Sequence, residues 1–135
     1  MNRTDTTALL SALLERDVLS GAHWAREVKY MKRDGTLGRV DYMSFKPREQ
    51  RYGPTAASVE GGKFTAYEVK SCKEDFESGH GLNFIADRNC LVMPMRLYRE
   101  IDQAVAYLDV AAYVPIPYYT GRPTTEQVYR EWENP

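Results

Sequence analysis

The nine residues Lys63–Ser71, KFTAYEVKS, alternate so regularly that a β-strand is the conformation they fit best. A period of two places Phe64, Ala66, Glu68 and Lys70 on one face and Thr65, Tyr67, Val69 and Ser71 on the other. Glu68 and Lys70 then project side by side, about 6.5–7 Å apart along the strand. Any fold proposed for this chain must supply a sheet for this strand and an environment for that pair of charges.

The flanking residues supply the sheet. Leu9, Leu10, Leu13 and Leu14, with Val18 beyond, form one face of a helix over Thr6–Arg16. Thr4 or Asp5 is its expected N-cap, and Ser20-Gly21 its end. HWAREVKYM then alternates Trp24, Val28 and Tyr30 against charged neighbours, which suits a strand. The turn signal Arg33-Asp34-Gly35-Thr36 leads into a returning strand, Gly38 to Phe45. Residues 47–62 contain Pro47, Gly53, Pro54, Gly61 and Gly62 without periodicity and read as a long surface loop.

After the KFTAYEVKS strand, a short helix is expected over Cys72–Glu77, closed by Ser78-Gly79-His80-Gly81. Asn89–Met93 reads as a buried strand ended by Pro94. Leu97, Ile101, Val105 and Leu108 predict a helix from Met95, and Ala111–Ile116 a last strand at the sheet edge. A C-terminal tail over 121–135 carries one short helical stretch, TTEQVYREW. The predicted class is α/β: a single mixed β-sheet flanked by helices, with residues 1–135 as one domain.

Composition narrows the function classes. A hydrophobic content of 43% with 27% charged residues excludes a disordered chain. No run nears the roughly 18 apolar residues of a membrane span, and the acid-containing N-terminus does not resemble a secretory signal. No membrane partner is therefore expected. Cys72 and Cys90 read as reduced thiols of a cytoplasmic protein. A net charge of −1 argues against gripping nucleic acid by charge alone. An acidic metal site would depress that total, however, and cations are grouped at Lys29, Lys32, Arg33 and Arg39, then at Lys46, Arg48 and Arg51. Lys32, Arg33, Arg39 and Lys46 are the candidate nucleic-acid contacts.

Asp41 lies in the strand preceding Glu68. Antiparallel pairing in a suitable register brings the two carboxylates together, where their repulsion favours a divalent cation with oxygen ligands, Mg²⁺ or Mn²⁺. Lys70 adds a positive charge suited to orienting water or stabilising a phosphate. The competing reading of Glu68 and Lys70 is a solvated strand-face ion pair, worth less than about 1 kcal/mol.

The order helix, strand, strand with Asp, loop, strand with Glu-x-Lys, helix resembles the PD-(D/E)xK nuclease superfamily, with its αβββαβ restriction-endonuclease-like core. The residues that carry the resemblance are Gly38-Arg39-Val40-Asp41 and Tyr67-Glu68-Val69-Lys70-Ser71, followed by Cys72-Lys73-Glu74-Asp75-Phe76. Val40 stands before Asp41 in place of the motif's proline, a departure that many members also show. The resemblance covers roughly residues 5 to 95. It implies a catalytic trio of Asp41, Glu68 and Lys70, and a metal held by Asp41, Glu68 and the main-chain carbonyl of Val69. It further implies a glutamate from the first helix, for which Glu15 is the candidate and Glu27 the reserve.

The implied activity is metal-dependent hydrolysis of DNA or RNA, as in repair, recombination or a mobile element. The alternative is a non-catalytic nuclease-like scaffold that binds nucleic acid or protein. No appended DNA-reading domain is expected in 135 residues, so target recognition is expected from loops, a homodimer partner or another protein. Other residues carry simpler readings. His23 and His80 lack zinc-ligand spacing, and Cys72 lacks a His or Asn partner. Tyr113, Tyr118 and Tyr119, with Arg122, suit a protein interface better than base stacking.

Overall fold

A computed structural model of the protein describes residues 2–48, 55–79, 82 and 84–115. Helix α1 spans Arg3–Leu14 and continues as a π-helical turn over Glu15–Leu19. Its N-cap is Asn2, whose side chain accepts the Asp5 N–H at 2.8 Å, rather than Thr4 or Asp5. Asn2 has the extended backbone of a cap, whereas Thr4 and Asp5 already lie inside the helix.

Strands β1 (His23–Met31) and β2 (Leu37–Lys46) form the expected hairpin. Asp34 closes its turn by accepting the Thr36 N–H at 2.9 Å and hydroxyl at 2.6 Å, with Gly35 at φ +85°. The 47–62 segment is not loop throughout, because Ala56–Glu60 forms helix α2, held by a reciprocal Thr55–Ser58 capping box. One turn is too short to show helical periodicity. Residues 49–54, His80 and the 121–135 tail with its expected helix lie outside the described residues.

Strand β3 (Lys63–Val69), helix α3 (Lys73–Glu77), strand β4 (Arg88–Val92), helix α4 (Met95–Ala106) and strand β5 (Ala111–Tyr113) complete the order. The five strands form one mixed sheet in the order β1-β2-β3-β4-β5. β1, β2 and β3 pair antiparallel, while β3, β4 and β5 pair parallel. The coarse class expected from the sequence, one mixed sheet with helices, is the one observed.

Two apolar layers cover the sheet. Leu10, Leu13 and Leu14 of α1, with Leu19, pack on Tyr42, Tyr67, Val69, Cys90 and Val92. Leu97, Ile101 and Val105, four residues apart along α4, pack with Phe76 on Leu91 and Met93. The strand period therefore separates Tyr67 and Val69, which face α1, from Glu68, which is paired in register with Leu91 on the α4 side. Among the described residues no helix is long and apolar enough to cross a membrane.

Leu91 is fully buried beside Glu68 and anchors the α4 layer. Leu91→Ala is expected to lower unfolding stability by about 2–5 kcal/mol in urea titration. A loss below about 1 kcal/mol would contradict this packing.

Candidate functional site

The β2–β3 ladder runs from Lys46↔Lys63 to Tyr42↔Tyr67 and goes no further, although both strands do. One register step beyond, Asp41 stands opposite Glu68. There the strands fork. Asp41 Oδ2 accepts the Val69 N–H at 2.8 Å, so a side chain takes the place of a ladder bond. On the other side β3 stays joined to β4, with the Lys70 N–H donating to the Val92 carbonyl at 2.9 Å. The fork opens a cavity of about 630 Å³ whose lining includes Lys32, Arg39, Asp41, Glu68, Val69 and Lys70.

Glu68 is only 6% exposed. Burial, and then the negative charge of the adjacent Asp41, raise its pKa from 4.5 to about 8; Lys70 opposes the shift without cancelling it. At neutral pH the side chain therefore holds a proton and shares a hydrogen bond with Asp41. Its Oε1 is buried without a hydrogen-bond partner. An orphaned acceptor beside a second carboxylate, inside a cleft, is an arrangement that a bound cation would relieve.

Lys70 is 3% exposed, and its partner is a residue that sequence reasoning passed over. Its Nζ lies 3.4 Å from the Asp75 carbonyl oxygen and 3.9 Å from Asp75 Oδ1. Asp75 also receives Arg3 at 2.8 Å and the Ser71 N–H at 3.3 Å. The first turn of α3 thus folds back over the end of β3 and ties it to the start of α1. An acidic residue opening the helix after the Glu-x-Lys strand was the available signal.

Not every sequence candidate reaches the fork. Glu15 accepts the Tyr42 hydroxyl at 2.7 Å and pairs with Arg26 at 2.5 Å. Tyr42 faces α1, on the opposite side of β2 from Asp41, so the structure does not bring Glu15 to the pair. The Tyr42 hydroxyl, followed by Arg26, lowers the pKa of Glu15. The reserve, Glu27, is aligned in register with Asp41, but its φ of +50° interrupts the β1–β2 pairing there. Its exposed carboxylate lies 3.8 Å from Arg39.

Among the described residues no third His, Cys, Asp or Glu completes a cluster with Asp41 and Glu68. Arg33 and Lys46 line other cavities, Lys46 with Arg48 and Lys63. His23 is exposed on β1, and both thiols are free, Cys90 being buried. Tyr113 packs against the α1 layer, while Tyr118, Tyr119 and Arg122 lie outside the described residues. Comparison of the chain with family models, curated proteins and solved structures finds no match.

The buried proton has a measurable consequence. Between pH about 4.5 and about 8 the unfolded chain releases the Glu68 proton while the native state keeps it. This group's contribution to stability therefore falls as pH rises through that window and is flat above it. Glu68→Gln is expected to remove this slope and to melt above the wild type at pH 8 in metal-free buffer. Identical pH–stability profiles for the two proteins would show that Glu68 does not carry the proton.

Proposed function

We propose that the fork between β2 and β3 is the metal site of a phosphodiester hydrolase, and that the sheet with α1 and α3 is a restriction-endonuclease-like core. The observation that carries this reading is the buried Glu68 carboxyl, which lies beside Asp41 with one oxygen unpartnered. Lys70 reaches the same cavity from the next position on that face. Asp41, Glu68 and the Val69 carbonyl would hold Mg²⁺ or Mn²⁺, whose remaining positions suit water and phosphate oxygen. When bound, the ion supplies Lewis-acid polarisation of a phosphate and activation of water.

The protein's own groups have separable tasks. Asp75 fixes Lys70, whose charge orients a water molecule and stabilises the negative charge that builds on the phosphate. Lys32, Arg39 and Arg3 line the same cavity and attract the phosphate backbone. The Asp41 hydrogen bond from Val69 holds one carboxylate in place before any ligand arrives.

A second reading, a non-catalytic nucleic-acid-binding scaffold, is favoured by the lack of a third acidic group beside the pair among the described residues. Cleavage and melting experiments separate the two. With Mn²⁺ or Mg²⁺ the wild type should cut DNA or RNA, and Asp41→Ala, Glu68→Ala and Lys70→Ala should each reduce cutting at least a hundredfold. A hundredfold excess of Mn²⁺ over Kd adds about 2.7 kcal/mol, a rise in Tm of roughly 8 °C for a chain of this size. Asp41→Asn should lose most of that rise. An equal rise in both proteins would place the ion elsewhere, and no cutting or rise in the wild type would favour the scaffold.

A further inference from the structure

The tip of the β1–β2 hairpin exposes an apolar pair that the core does not use. Met31 and Leu37 face each other in register and are 73% and 69% exposed. Ile85, 46% exposed, borders Met31 in a shallow hollow that Lys32 and Arg33 also line. Surface apolar residues are ordinary when single. Two paired at a hairpin tip, with a third alongside, form a patch.

Its surroundings select the occupant. Residues 27–39 carry Lys29, Lys32, Arg33 and Arg39 against Glu27 and Asp34, a local charge of +2 in a chain of −1. The Asp34 carboxylate is engaged within the turn by Thr36. The strand period puts Lys29 and Met31, and across from them Arg39 and Leu37, on the sheet face that carries Asp41. Lys29 and Arg39 are directly opposite each other, with the exposed Glu27 carboxylate 3.8 Å from Arg39. Leu37 and Arg39 also line the cavity at the fork. Leu37 lies four residues from Asp41, about 13 Å along the strand.

We propose that this hairpin is a wedge for duplex DNA: Lys29, Lys32, Arg33 and Arg39 hold the phosphates while Met31 and Leu37 enter between base steps. Apolar side chains of this kind unstack and kink B-form DNA from the minor groove, flanked by cations. At 13 Å from Asp41 the wedge opens the duplex about four base steps from the carboxylate pair, since each step spans about 3.4 Å. The inference names the substrate of the proposed hydrolase and rests on that reading for its biological purpose, but DNA binding can be measured without metal.

The test uses the full chain in EDTA with a B-form duplex carrying 2-aminopurine, whose fluorescence rises on unstacking. The wild type should bind and raise the signal severalfold. Met31→Ser with Leu37→Ser, at exposed positions and with unchanged melting, should weaken binding at least tenfold and abolish the rise while the salt slope stays the same. Lys32→Gln with Arg33→Gln should keep the rise at saturation and reduce the salt slope by about two. Absence of DNA binding by the wild type, an unchanged signal in the Met31/Leu37 variant, or equal affinity for an RNA duplex each overturns the proposal. So does a patch effect confined to self-association in sedimentation. Cutting with Mn²⁺, assayed in parallel, keeps the readings apart: cutting without unstacking rejects the wedge alone, and unstacking without cutting rejects the hydrolase alone.

Discussion

Two carboxylates brought together at the end of a strand ladder create a local conflict, and much of the architecture around the fork responds to it. Asp41 is held by the Val69 N–H, so its position depends on β2 leaving β3 where it does. Glu68 is buried, on a strand that β4 holds from the side away from β2. The conflict is met by a proton on Glu68, with one buried oxygen left unpartnered. Lys70 does not neutralise the pair alone, because the first turn of α3 engages it through Asp75.

The same division between faces organises the rest of the charge. On the α1 side, Glu15, Tyr42 and Arg26 satisfy one another, with the Arg26 guanidinium also near the rings of Trp24 and Tyr42. On the other side, Lys29 and Arg39 stand opposite each other. The face that carries the carboxylates thus also carries Lys29 and Arg39, with Glu27 3.8 Å from Arg39. A chain that is slightly acidic overall can present a basic approach to an acidic centre because the two are kept on neighbouring stretches of β2.

Residues governed by the strand period were legible in the sequence. The alternation of KFTAYEVKS separates Glu68 from Tyr67, and antiparallel pairing with the hairpin puts Asp41 opposite it. The helix from Met95 was legible for the same kind of reason, through Leu97, Ile101 and Val105. Glu15 was misplaced because spacing fixes a residue's side of a helix but not the face of the sheet that side meets. Asp75 was missed because its role depends on a chain reversal between β3 and α3, which one turn of helix does not announce. Helix α2 carried a Thr55–Ser58 cap signal inside a stretch where proline and glycine dominated the reading.

On the proposed reading, a cation bound at the fork takes the place of the proton on Glu68. Isothermal titration of the wild type with Mn²⁺, repeated in buffers of different ionisation enthalpy, counts the protons released as the ion binds. Close to one proton per ion is expected at pH 7, falling toward zero above pH 9 and absent in Glu68→Gln. Binding at pH 7 without proton release, or the same release from Glu68→Gln, would contradict the account.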